Sequence, residues 1–350
     1  MASAAHDVIV IGGGQAGLAA GHHLQRSGAD FVILDAETRV GDTWRRRWAS
    51  LRLFTPARHD GLPGRPWPGR GGYFPTADEV ADYLEAYAAA FDLPVRSGTR
   101  VTAVRPEGDG YAVVAGDDVL HAPSVIVATG ATSVPRLPDA ASWISLPQLH
   151  SSAYRRPDDV EGDRVLVVGY GTSGAEIARE LATAGRQVTI AGRPTPTVPP
   201  LLLTVAGELW WLVVTQLLNR ATPVGRRVAP KATAHGAPLI RISPEELRAA
   251  AVAEVGRVDG VADGRPSADG RPVDVDAVVW ATGFRGDFSW LEVPGLAFDA
   301  RGYPDAPFGV PPGVPGLGFV GIPFQTRLAS HLLGGVGGDA ARVVAALRRP

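Results

Sequence analysis

The chain of 350 residues contains no cysteine. Disulfide staples, zinc–thiolate sites and a redox-active C-x-x-C pair are therefore excluded. A dithiol or disulfide reductase cycle has no sulfur to run on. Lysine and asparagine are almost absent as well: Lys231 is the one lysine among 34 basic residues, and Asn219 is the one asparagine. Neither sign of charge is in excess. The formal net charge of −2 gives no pull toward nucleic acid or an anionic membrane. No H-E-x-x-H spacing or catalytic triad signature is present, so no metal is expected. The first apolar strand is expected from residue 8, which leaves no room for a secretion signal and points to the cytoplasm. What remains is an ordinary globular composition, 45% hydrophobic and 20% charged, long enough for two domains.

The stretch Val8-Ile9-Val10-Ile11 reads as a short buried strand and runs into Gly12, Gly14 and Gly17, a G-x-G-x-x-G spacing. Gly12 allows the strand-to-helix turn, Gly14 lets a pyrophosphate approach the backbone, and Gly17 lets helix and strand pack closely. The helix that follows offers free N–H groups and a partial positive charge to that pyrophosphate. Phe31-Val32-Ile33-Leu34 predicts a second strand, with Asp35 at its end to accept hydrogen bonds from a ribose diol. Strand, turn, helix, strand and terminal carboxylate together predict a dinucleotide site, read as FAD.

The pattern occurs twice. Val165-Leu166-Val167-Val168 leads into Gly169, Gly171 and Gly174, with Thr172 and Ser173 between the last two glycines. Val188-Thr189-Ile190 is the second strand of this copy, and Arg193 stands near its end where the first copy has Asp35. An arginine there can pair with a 2′-phosphate that a carboxylate would repel, so the second copy reads as an NADPH site. Left as a surface residue, Arg193 would be an ordinary exposed arginine. Ala128-Thr129-Gly130 and Ala281-Thr282-Gly283 each follow a predicted strand, one behind each nucleotide motif.

Gly41-Asp42-Thr43-Trp44, soon after Asp35, resembles the class B flavin monooxygenases, which include flavin-containing monooxygenases, Baeyer–Villiger enzymes, N-hydroxylases and plant auxin-forming enzymes. The family signature F-x-G-x-x-x-H-x-x-x-Y/F is half present: Ile144 and Leu146 replace its first two residues, while His150 and Tyr154 match. The resemblance implies two Rossmann-like α/β domains, with the NADPH domain (158–283) inserted into a discontinuous FAD domain (1–157 and 284–350). It implies that Gln15, Ala16, Thr43, Trp44, Val101, Ala128, Thr129, Gly130, Gly321 and Gln325 lie along the FAD. It likewise implies that Ala281, Thr282 and Gly283 lie by the NADPH. His150 then reads as a hydrogen-bonded linker residue rather than a base. Tyr154 followed by Arg155 leans toward heteroatom or carbon oxygenation and away from Baeyer–Villiger chemistry.

Other stretches are read from their residues. Arg45–Arg47 is either a solvated face or a run that stacks on a nucleotide with Trp44 and Trp48. The Pro- and Gly-rich residues 56–75 are either a cap over a substrate cavity or a long connection. Thr76 and Glu79 have capping-box spacing, with Val80, Leu84, Tyr87 and Phe91 on one helical face. The insertion at about 199–240 opens on an apolar run, 199–219, broken by Glu208, Thr215 and Gln216. A helix over the NADPH domain or substrate entrance is favoured there over an interfacial surface or a true membrane span. Residues 223–238 read as an irregular loop, and Ser243-Pro244 as a helix start.

The family resemblance implies a catalytic cycle in which NADPH reduces FAD, oxygen adds to give a C4a-(hydro)peroxyflavin, and one oxygen atom enters a small, apolar substrate. Flavin-containing monooxygenases carry an asparagine near the position of Phe54-Thr55-Pro56 that helps activate oxygen. None stands there, and Thr55 and Gln325 are the candidate substitutes. The competing readings are an NADPH dehydrogenase passing electrons to a quinone or protein, and a non-enzymatic redox sensor. Oligomeric state is open, a homodimer included.

Overall fold

The computed structural model describes residues 6–69, 72–132, 134–199, 207–234, 236 and 238–348. Its centre is a five-stranded parallel sheet in the order Leu317–Phe319, Ser124–Val127, Val8–Ile11, Phe31–Leu34, Val95–Arg96. A second parallel sheet repeats the plan: Ala253–Val255, Gln187–Ala191, Arg164–Val168, Ala277–Trp280, Gln148–His150. These are two Rossmann-type α/β units. The second sheet begins earlier in the chain than residue 158, because Gln148–His150 pairs with Ala277–Trp280.

The repeat extends past the glycine motifs. In each unit a three-stranded antiparallel meander precedes the strand that ends in A-T-G. In the first it is Val101–Glu107, Gly110–Ala115 and Asp118–Ala122; in the second, Val258–Ala262, Arg265–Ala268 and Arg271–Pro272.

All four residues of Val8–Ile11 are buried because both sheet faces are covered, which is why the run shows no polar alternation. Val8 and Val10 face the helices Gln15–Arg26 and Val336–Leu347, in one core with Leu18, Leu24 and Val343. Ile9 and Ile11 face the meander, in a second core with Val104, Val113 and Leu120. Each such side chain contributes roughly 1.5–3 kcal/mol by leaving water. The second sheet divides in the same way, with Val165 and Val167 against the helix Thr172–Thr183 and Leu166 and Trp280 against Ile144.

The capping boxes form as the spacing requires. Thr76 Oγ1 accepts from Glu79 N at 3.2 Å and Thr76 N donates to Glu79 Oε2 at 2.8 Å, starting the helix Ala77–Ala90. Ser243 does the same with Glu246. In the insertion, Gly207–Leu212 is helical and a π-turn covers Val213–Leu217, while residues 200–206 of the apolar run lie outside the described residues. The expected loop at 223–238 is instead largely a helix, Pro223–Ala234. Thr222 and Pro223 explain it: Thr222 Oγ1 accepts from Gly225 N at 2.9 Å, and proline fits the first helical position, where no N–H is needed. Among the described residues, no helix is long and apolar enough to cross a membrane.

Candidate functional site

The two glycine motifs fold into matching cradles. Gly12 has φ +108° and Gly169 φ +114°, and a Cβ on Gly12 would lie 2.6 Å from the Ala128 carbonyl oxygen. A Cβ on Gly169 would overlap the Ala281 carbonyl. Each A-T-G turn therefore backs its own cradle. Gly17 and Gly174 pack so closely that a side chain would overlap the carbonyl of Gly12 or Gly169. Gly14 differs in the way the chemistry needs: a Cβ there meets no protein atom within 4 Å. The space over it is open at the N-terminus of the helix Gln15–Arg26, the setting for a pyrophosphate.

Asp35 sits beside Gly13 and accepts from Glu37 N at 3.2 Å. Burial raises its pKa, and the backbone N–H groups of Gly13 and Ala36 oppose that rise. In the second cradle Thr172 is buried and its hydroxyl donates to the Pro238 carbonyl; Ser173 and Gly171 are half-buried. Arg193 is exposed, two residues past the strand Gln187–Ala191, with no carboxylate within ion-pair distance among the described residues.

One indole joins the two units. Trp44 Nε1 donates to Gln15 Oε1 at 3.1 Å, and Gln15 Nε2 donates to the His331 carbonyl at 3.2 Å. Trp44 also packs against the core of the second unit, where Trp48 is buried. The A-T-G turns are tied by the short antiparallel pair Phe284–Arg285 with Val134–Pro135, and Thr282 Oγ1 donates to the Arg136 carbonyl.

More than half of the chain, residues 9–199, matches the family model for pyridine nucleotide-disulphide oxidoreductases. An uncharacterized CzcO-like oxidoreductase of Geobacillus kaustophilus is 36% identical over 97% of both chains. A flavin monooxygenase of Stenotrophomonas maltophilia, solved as a double mutant, is 32% identical, with a TM-score of 0.80 over 98% of both chains. The chain belongs to the flavin monooxygenases. An indole-3-pyruvate monooxygenase of rice, YUCCA1, is 29% identical over 86% of the chain and 82% of its own length. This flavin monooxygenase is thus an oxidoreductase whose family model takes its name from disulfide chemistry, while its own sequence holds no thiol.

His150 Nε2 donates to the Gly283 carbonyl at 3.1 Å, and Nδ1 accepts from Ser152 N at 3.1 Å, so the ring is a neutral linker between segments. Burial lowers its pKa. Gly321, at φ +89°, is buried against Ala16, while Val101 is half-buried at the start of the meander. Thr43 and Thr129 are exposed, and Gly130 is half-buried.

The two candidate substitutes for the missing asparagine part company. Gln325 is 4% exposed; its Nε2 donates to the Phe319 carbonyl at 2.7 Å and its Oε1 accepts from Ile322 N at 3.3 Å. Gln325 thus bonds to backbone on both sides of Gly321 and holds that turn in shape, with one of its two Nε2 donors engaged there. Thr55 is half-buried and donates its hydroxyl to Asp60.

Asp60 escaped the sequence reading. It is 0% exposed, its Oδ2 has no hydrogen-bond partner among the described residues, and burial pushes its pKa up to about 7 despite the Thr55 hydroxyl. Its neighbour His59 stacks on Trp211 of the insertion at 4.8 Å and 14°, so the Pro/Gly-rich segment is held under the insertion. No periodicity marks a lone acid inside such a loop. Glu176 is similar: buried, raised to about 7 by burial, and paired at 2.7 Å with Arg241, which also donates to the Arg52 carbonyl at 3.0 Å.

Proposed function

We propose that the protein is an NADPH-dependent FAD monooxygenase that places one atom of dioxygen into a small, apolar organic molecule, with nitrogen, sulfur or carbon oxygenation favoured over Baeyer–Villiger insertion. The observation that carries this is Trp44, hydrogen-bonded to Gln15 of the first cradle and packed against the core of the second unit, so that one indole bridges the two units.

In this reading residues 1–157 with 284–350 form the FAD domain and 158–283 the NADPH domain, with the strand Gln148–His150 crossing over to complete the sheet of the NADPH domain. Gly12, Gly14, Ala16 and Gly17 hold the FAD pyrophosphate at the helix N-terminus, and Asp35 takes its ribose. Gln15, Thr43, Trp44, Val101, Ala128, Thr129, Gly130 and Gly321 border the rest of the FAD. Gly169, Gly171, Thr172, Ser173 and Gly174 hold the NADPH pyrophosphate, with Ala281, Thr282 and Gly283 behind them, and Arg193 pairs with the 2′-phosphate. When bound, the flavin supplies hydride acceptance from NADPH and the activation of oxygen. The protein supplies orientation and dryness; the half-buried Thr55 gives its O–H to Asp60, which leaves the hydroxyl oxygen to accept a hydrogen bond. The insertion exposes Leu209, Leu212, Leu217 and Val224, an apolar approach suited to an apolar substrate.

Stopped-flow mixing of anaerobically NADPH-reduced protein with oxygenated buffer tests the reading. The expected record is an absorbing transient between reduced and oxidised flavin, with little hydrogen peroxide released when an oxidisable sulfide or amine is present. Direct reoxidation with stoichiometric peroxide, together with steady quinone reduction in the absence of oxygen, would make it a dehydrogenase instead.

A further inference from the structure

The fold separates the three arginines that follow Trp44. Arg45 reaches Asp82 at 2.8 Å and Glu85 at 2.7 Å on the helix Ala77–Ala90, and Arg46 pairs with Glu37. Arg47 turns the other way. Its Nη2 donates to Thr132 Oγ1 at 3.1 Å, and its Cζ lies 5.7 Å from the centre of the Phe284 ring. Thr132 stands two residues after the first A-T-G turn and Phe284 one residue after the second. Arg47 therefore spans the seam between the two units.

The charge around it is uncompensated. No carboxylate among the described residues lies within ion-pair distance of Arg47, and the charge that acts on it is that of Arg155. Burial first, and Arg155 second, lower its pKa. Arg155 uses one guanidinium nitrogen on the carbonyls of Ser152 and Tyr154, at 2.9 and 3.0 Å, and has no carboxylate partner for its side chain among the described residues. His150, the third group in contact with this field, is neutral and supplies no negative charge. Two half-buried guanidiniums without an anion are an unfavourable arrangement unless a ligand brings one. At the ends of the two A-T-G turns that flank Arg47, a Cβ on Gly130 or on Gly283 would meet no atom within 4 Å. Among the described residues Arg47 makes one side-chain hydrogen bond out of five available donors, and its planar fork matches an oxyanion.

We propose that Arg47 and Arg155 form an oxyanion site at the seam, which takes a phosphate or carboxylate group of a ligand lying across the two cradles. The site rests on the monooxygenase reading given above and adds a required chemistry to its ligands. The shared group has two sources, a phosphate of NADPH or a carboxylate on the organic substrate.

The experiment uses purified holoenzyme of the wild type, Arg47→Gln and Arg155→Gln, titrated with NADP⁺, with phenylacetate and with neutral phenylacetamide, reading the flavin absorbance. The expected result is that Arg47→Gln weakens NADP⁺ or phenylacetate by at least about tenfold, the scale of a charge-assisted hydrogen bond, with phenylacetamide unchanged. Loss on NADP⁺ alone identifies the cofactor phosphate, and loss on phenylacetate alone a substrate carboxylate. Should Arg47→Gln fail to hold flavin, Arg155→Gln is expected to carry the same selective loss. Affinities for both anions within about twofold of wild type in every variant that holds flavin would overturn the site. Reduction of the wild-type flavin by NADPH is read separately, so a failure of the monooxygenase reading is not confused with a failure of the anion site.

Discussion

The Thr55 hydroxyl donates to the Asp60 carboxylate, and Asp60 has no access to solvent. A carboxyl whose folded pKa is raised, here from 3.8 to about 7, favours the fold when protonated. Its contribution is therefore greatest below the unfolded pKa near 3.8. It falls as pH rises through about 7, where the buried carboxylate costs up to roughly 4 kcal/mol. Asp60→Asn is expected to raise the urea midpoint markedly at pH 8 and only slightly at pH 4.5. Equal gains at the two pH values would show that Asp60 does not titrate in this range.

Gly14 and Gly17 are three residues apart and should fail differently. Gly14→Val places its side chain in open space, so the protein should fold and melt cooperatively yet purify colourless, because the pyrophosphate's place is filled. Gly17→Val drives a side chain into the Gly12 carbonyl and should lower the melting temperature or abolish soluble expression. Visible absorbance beside thermal denaturation separates the two, and a yellow Gly14→Val protein would remove the first cradle from the cofactor assignment.

Arg193 is exposed and free of carboxylate partners among the described residues. Arg193→Ala should leave NADH turnover nearly unchanged while raising the KM for NADPH by about 10- to 100-fold, the worth of one or two charge-assisted hydrogen bonds. A matching loss for both nucleotides would place the 2′-phosphate elsewhere.

Arg241 bridges the units through Glu176 and the Arg52 carbonyl, and its backbone holds φ +63°. Arg241→Met leaves Glu176 buried without its partner, a loss of about 3–5 kcal/mol at pH 8 by analogy with other broken buried pairs. The loss should shrink toward pH 5, where Glu176, already raised to about 7 by burial, takes up a proton. The double variant Glu176→Gln/Arg241→Met should recover much of the stability at pH 8. Chemical denaturation of the three proteins at both pH values checks it, and a pH-independent loss would mean the pair is not electrostatic in origin.

Both nucleotide units were legible because their signals are local. Four apolar residues, a glycine spacing and a terminal side chain lie within about thirty residues, and a strand buried on both faces needs no information from elsewhere. The helix Pro223–Ala234 was not legible, since Pro230, Gly225 and two arginines dilute its apolar periodicity and only the Thr222-Pro223 start remains. Gln325 was legible as a candidate from its place beside Gly321, but its bonds to the backbone of Phe319 and Ile322 were not, since they depend on how that turn folds. Asp60 and Arg47 depend on what distant segments bring near them. Whether an arginine in a run of three meets Glu85 or an empty seam is settled by a helix some forty residues away.

The strand Leu317–Phe319 lies at the edge of the first sheet, and the His331 carbonyl closes on Gln15. During synthesis from the N-terminus, the inserted unit has all five of its strands once Trp280 has emerged. The unit that began first must wait about forty more residues for its last strand and nearly seventy for the helix behind it. The opening glycine loop, made earliest, is thus completed latest, and a nascent chain stalled or clipped before Phe319 would carry a finished inserted lobe beside an unfinished one.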